Sequence, residues 1–106
     1  MKQLVMAAAL FGAVAGSAHA YDIGSLTCER IGQLAAETLA AKQSGTALEP
    51  ELTTLTAPLT TDATVERKLV TNIVTIIYNN DLLVAMKPDD AYMVFKGDCM
   101  RGQSDR

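Results

Sequence analysis

A chain of 106 residues has the length of one domain, and its 12 acidic against 9 basic side chains give a formal charge of -3. That balance provides no basic surface for nucleic acid or an anionic bilayer. One histidine, two cysteines and no tryptophan narrow the chemistry further.

Lys2 precedes "LVMAAALFGAVAG", residues 4–16, which carries no charge. The run is shorter than the roughly 20 apolar residues that a spanning helix needs. It matches a signal-peptide hydrophobic region, and Ala18-His19-Ala20 supplies the small residues a signal peptidase accepts. Residues 1–20 are therefore read as a signal peptide cleaved after Ala20, with export to the periplasm or the medium. An uncleaved anchor is the minor alternative. A lipoprotein acceptor cysteine would follow the apolar run directly, whereas Cys28 is remote and follows Ser25-Leu26-Thr27. Removing 20 of 106 residues leaves 86, with 8 basic and 12 acidic side chains and a charge of -4. His19, the only histidine, leaves with the signal, and no membrane span remains.

After the lead-in Tyr21–Thr27, Thr27 is the expected N-cap of a first helix, and Glu29 favours its dipole. Cys28, Ile31, Leu34, Ala35 and Leu39 recur at helical spacing, and Ser44-Gly45 is the expected stop. The threonine-rich stretch 46–64 carries Pro50, suited to the first turn of a short helix, and Pro58, which should end it. Leu48, Leu52, Leu55 and Leu59 would share its buried side. The threonines read as caps and loop surface rather than as a ligand groove.

Residues 62–80 are rich in Val, Ile and Thr, which by propensity alone allows a strand. Spacing favours a helix: Lys68, Thr71, Asn72, Thr75 and Asn79 fall within about 100° of a helix circumference. Leu69, Val70, Ile73, Val74, Ile76 and Ile77 form a wide apolar face, so this helix is expected to be the most buried. Asp62 or Thr61 should cap its start, and Asn79-Asn80-Asp81 should mark its end. Residues 82–86 fit either a helical turn or a connector. Pro88, Asp89 and Asp90 then open a last helix, with Tyr92, Phe95 and Cys99 facing the core. Gly97 weakens its interior by up to about 1 kcal/mol, and residues 101–106 are expected to form a flexible tail.

The fold class that follows is all-α. Three main helices and one short one form a single domain over residues 21–100. Two cysteines in an exported chain allow one pairing, Cys28 with Cys99, which ties the first helix to the last. A small α+β fold, with residues 69–78 as a strand, is the alternative.

Without histidine the exported chain has no Ser-His-Asp or Cys-His arrangement, and two distant cysteines make half a zinc site. No glycine-rich phosphate loop is present. Asp89, Asp90 and Asp98 lack calcium-loop spacing. Glu49 and Glu51 bracket Pro50 and are the one pair to weigh for acid/base work. All five lie near expected helix ends, where acidic residues are ordinary. A reduced Cys28 at a helix N-terminus would be nucleophilic, but the C-x-x-C pair of exported oxidoreductases is missing. No catalytic residue, cofactor or metal is expected.

The order of a signal peptide, "C-x-x-I-G-x-L-A" from Cys28 to Ala35, "AKQSG", "IIY" and "KPDDAYMVF" before a final cysteine resembles small exported two-cysteine helical proteins of proteobacteria. The resemblance implies a disulfide-clipped helical fold and a periplasmic address, and no activity. The expected function is a non-enzymatic periplasmic binding or interaction protein, such as an inhibitor or immunity protein for an envelope-acting enzyme. Its partner would be a protein, and the oligomeric state stays open. A periplasmic stress chaperone is the alternative, although Met1 and Met6 leave with the signal and adaptable methionine surface is scarce. An enzyme using carboxylates alone comes third.

Overall fold

A computed structural model describes residues 22–104. The expected signal peptide, its cleavage after Ala20 and the last two residues of the expected tail lie outside the described residues. Four α-helices follow in order: α1 (Cys28–Gln43), α2 (Leu48–Thr56), α3 (Thr64–Tyr78) and α4 (Pro88–Ser104). A short 3-10 helix, Asp81–Ala85, joins α3 to α4 and resolves the ambiguity over residues 82–86. No strand occurs among the described residues, so the α+β alternative falls.

Thr27 caps α1 as its position predicts, its Oγ1 accepting from the Arg30 N–H at 3.0 Å. Gly45, at φ 91°, leaves the helix in the left-handed region that Gly adopts freely. The start of α3 differs from expectation. Ala63 holds the N-cap position without a side-chain bond, because Asp62 Oδ1 accepts instead from Thr60 Oγ1 at 2.6 Å. At the other end of the chain, α4 runs on to Ser104 and does not fray at residue 101. Arg101 pairs with Asp98 one turn back and suits the negative end of the helix dipole.

The core is one cluster drawn from all four helices, including Leu34, Leu39, Leu55, Ile73, Ile77, Phe95 and Cys99. Leu48 and Leu52 pack against it from the edge, as their spacing predicts, and Leu59 packs there too, although it lies beyond the end of α2. On α3, Leu69, Val70, Ile73, Val74 and Ile77 are buried, while Lys68, Asn72 and Asn79 face out. Yet α1, not α3, is the central element. It packs against α4, α3, α2 and the 3-10 helix, and buries Ile31, Gly32, Leu34, Ala35, Thr38 and Leu39. A helix flanked on two sides must bury more than one stripe. Thr38 tolerates complete burial by donating to the Leu34 carbonyl at 2.7 Å.

The tightest packing joins α1 to α4. Cys28, the first residue of α1, is bonded to fully buried Cys99, with the Cα atoms 5.4 Å apart. One turn into α1, Gly32 lies against Tyr92. A Cβ there would stand 2.7 Å from the Tyr92 ring and 2.8 Å from its carbonyl oxygen. With Cys28 against Cys99 and Gly32 against Tyr92, the two helices run antiparallel.

Long polar side chains close the helix ends. Lys42 Nζ donates to the carbonyls of Ile77 and Tyr78 at 3.1 and 3.0 Å, serving the last turn of α3. Arg67 Nη1 donates to the Leu59 carbonyl at 3.3 Å, beyond the end of α2. The lead-in is fastened through Glu66, whose Oε2 accepts from the Ser25 N–H at 2.7 Å and the Ser25 hydroxyl at 2.9 Å. Donation from the Ser25 N–H, then from the Glu66 N–H and the Ser25 hydroxyl, lowers the Glu66 pKa. A lowered carboxyl pKa means this attachment is complete above the ordinary glutamate value and is lost as pH falls through the folded value. Gly24, at φ 60°, lies directly beneath the same carboxylate, where a Cβ would collide with it.

Two outcomes test the α1–α4 packing. Replacing both cysteines by serine should lower the urea-unfolding free energy by about 4 kcal/mol, the chain-entropy value for so long a loop. Gly32→Ala should cost about 1–3 kcal/mol, because the added methyl meets a ring and a carbonyl on the neighbouring helix.

Candidate functional site

The carboxylates weighed for chemistry do not gather. Asp89 and Asp90 are exposed in the first turn of α4, and Asp98 pairs with Arg101. No group of three or more His, Cys, Asp or Glu side chains that could hold a metal ion occurs among the described residues. Cys28 and Cys99 are consumed in the bridge and leave no free thiol. Two threonines of residues 46–64 turn inward on their own backbone: Thr54 and Thr56 donate to the carbonyls four residues earlier.

Glu49 and Glu51 separate. Two residues apart on a helix is about 200° of rotation, so their carboxylates cannot meet. Glu49 stands in solvent, while Glu51 is only 8 % exposed. The reason is register. Glu51 falls in the stripe of Leu48, Leu52 and Leu55, so the turns that dock α2 on the core carry the glutamate inward.

Among the described residues no hydrogen-bond donor or cation reaches the Glu51 carboxylate. Burial, and then the like charge of Glu37 on α1, raise its pKa above the ordinary value of 4.5. The Glu51 charge is also felt by Tyr78, at the end of α3. Burial first, and the Glu51 charge second, raise the pKa of its phenol. The Tyr78 hydroxyl is already committed, donating to the Thr46 carbonyl at 2.7 Å.

The nearby cations are occupied elsewhere. Arg30 Nη1 sits 3.1 Å from Glu37 Oε2, on the side of Glu37 toward the start of α1. Lys42 serves the carbonyls of α3, with Asp81 Oδ1 at 3.7 Å. Glu51 near the start of α2 thus lies within electrostatic reach of Glu37 in the middle of α1 and of Tyr78 at the end of α3. Among the described residues Glu51 has no counter-ion, while Glu37 is exposed and pairs with Arg30. Such an acidic cluster can receive a positively charged group; it offers no paired acid and base.

The sequence offers only Glu49 as a neighbour for Glu51. Glu37 and Tyr78 belong to other helices, so only the fold brings them to it. One local signal existed: a glutamate at an apolar position of the leucine stripe.

The raised pKa has a definite sign. The folded state prefers protonated Glu51, so a penalty appears as pH rises from the unfolded value to the folded one, and persists above it. Glu51→Gln should therefore melt higher than the parent protein at pH 7, with the gap closing below pH 4. Thermal unfolding across that range measures it directly. No known family, curated protein or solved structure matches this chain.

Proposed function

We propose that this protein is a non-enzymatic binding protein of the periplasm, which covers a basic surface of an envelope-acting enzyme as an inhibitor or immunity protein does. Glu51 carries the proposal. A buried carboxylate without a counter-ion costs stability. A fold that retains one has a use for it when a partner supplies the missing charge. An arginine guanidinium fits the requirement. It is planar, permanently charged, and forked to serve two carboxylates, here Glu51 and Glu37, beside the ring of Tyr78. Desolvated arginine contacts are also among the strongest single contributors to protein interfaces.

Other observations support the address and the class. The uncharged run at residues 4–16 followed by Ala18-His19-Ala20 reads as an export signal, and the disulfide belongs to an oxidising compartment. No helix among the described residues is long and apolar enough to cross a membrane. The excess of 12 acidic over 8 basic side chains beyond residue 20 favours a basic partner and speeds encounter with it.

The chaperone alternative draws on the Ser25–Glu66 attachment, which loosens in acid. Against it, the disulfide, which does not titrate, keeps α1 joined to α4 in acid.

Immobilised protein exposed to envelope extract should retain a basic protein at low salt and release it as salt rises. The double variant Glu37→Gln/Glu51→Gln should bind that protein at least about tenfold more weakly, since a desolvated charge contact is worth about 2–5 kcal/mol. Repeated absence of a specific partner, or equal capture by the variant, overturns the proposal.

A further inference from the structure

Within the domain, α4 packs against α1 and turns Ala91, Phe95 and Cys99 inward. Its opposite side faces out. Of four large apolar side chains exposed among the described residues, three are on α4: Met93 at 68 %, Val94 at 45 % and Met100 at 52 %. Gly97 lies in their midst. Unlike Gly32, it has no packing reason among the described residues: a Cβ would meet only the side chain of Arg101, at 3.5 Å. A glycine inside a helix still costs up to about 1 kcal/mol relative to alanine.

We propose that this face is a self-association surface, on which two copies of the chain pair through antiparallel α4 helices crossing at Gly97. The register supplies the argument. At 100° per residue, Asp90, Met93, Val94, Met100 and Arg101 all fall within about 60° of Gly97. Asp90, Val94 and Arg101 lie on one flank of it, and Met93 and Met100 on the other.

A two-fold axis through the crossing reverses height along the helix and keeps each flank on its own side. Met93, about 6 Å below Gly97, then meets Met100 of the second copy, about 4.5 Å below the same point. Arg101, about 6 Å above, lies on the same flank as Asp90 of the second copy, about 10.5 Å above and within reach of its long side chain. Each contact occurs twice. Arg101 now pairs with Asp98, and in the dimer it bridges Asp98 to Asp90 of the second copy.

A parallel pairing would instead set Asp90 beside Asp90 and Arg101 beside Arg101. The charges thus select the antiparallel arrangement. Gly97 at the axis lets the two backbones approach, and the methionines fill the space around it. The acidic cluster of Glu51 and Glu37, on α2 and α1, takes no part, so pairing and partner binding can be tested separately.

Sedimentation equilibrium of the disulfide-bonded protein should show a monomer–dimer equilibrium. Met93→Asp and Arg101→Asp should each weaken it at least about tenfold, which is 1.4 kcal/mol. Asp90→Arg added to Arg101→Asp should restore it to within about threefold of the parent. Asp89→Arg, outside the face, should leave it unchanged. Gly97→Cys should form a covalent dimer on oxidation, since the crossing brings the two Cα atoms into disulfide range. Thermal unfolding of each variant separates lost pairing from lost folding. A parent protein that stays monomeric up to about 1 mM overturns the proposal. So does a folded double charge reversal that fails to restore pairing, or a Gly97→Cys variant that stays monomeric.

Discussion

The contact between α1 and α4 organises the rest of the molecule. It is held twice, covalently where Cys28 meets Cys99 and sterically where the missing side chain of Gly32 admits Tyr92. With those two helices fixed, the opposite side of α1 becomes a wall on which α3 and then α2 are laid. A domain this small buries a limited fraction of its surface. A covalent closure that lowers the entropy of the unfolded chain is therefore large beside the few kcal/mol that separate folded from unfolded. The same arrangement explains why α1 packs against more elements than the more apolar α3: position outweighs composition.

The second layer of organisation is polar. Lys42 satisfies carbonyls at the end of α3, Arg67 one beyond the end of α2, Tyr78 the Thr46 carbonyl and Gln43 the Met86 carbonyl. Each is a long side chain from one element serving backbone of another. Such bonds do what local caps do elsewhere, and they also orient helices that share little apolar area. Glu51 stands out against this pattern. In a molecule that provides partners for its loop carbonyls, the buried carboxylate of Glu51 receives none among the described residues.

What could be read from the residues and what could not divides along a physical line. Helical character at residues 69–78 was legible because Lys68, Thr71, Asn72, Thr75 and Asn79 mark a 3.6-residue period that no strand reproduces. The Thr27 cap and the pairing of Cys28 with Cys99 were legible for similar reasons, one local and one arithmetical. Failures arose where two local options compete or where a distant residue decides. Asp62 had a choice between capping α3 and accepting from Thr60, and took the latter. The helical continuation through Arg101 depends on its pairing with Asp98 and on a dipole that exists only once the helix has formed. The acidic cluster was half legible: Glu51 sits visibly out of place in a leucine stripe, but Glu37 and Tyr78 come within its influence only through the packing of three helices.

The closed loop has a mechanical meaning as well. Cys28 and Cys99 stand 71 positions apart in sequence and 5.4 Å apart in space. A pull applied between the lead-in and the end of α4 passes straight through the sulfur–sulfur bond. The helices α2 and α3, and most of α1, lie off that load path. A machine that threads a chain from its C-terminal end would meet the cross-link after a single turn and a half of α4, and would then have to admit two strands at once. Tension at the ends would thus leave Glu51 and its surroundings in place until the disulfide is reduced.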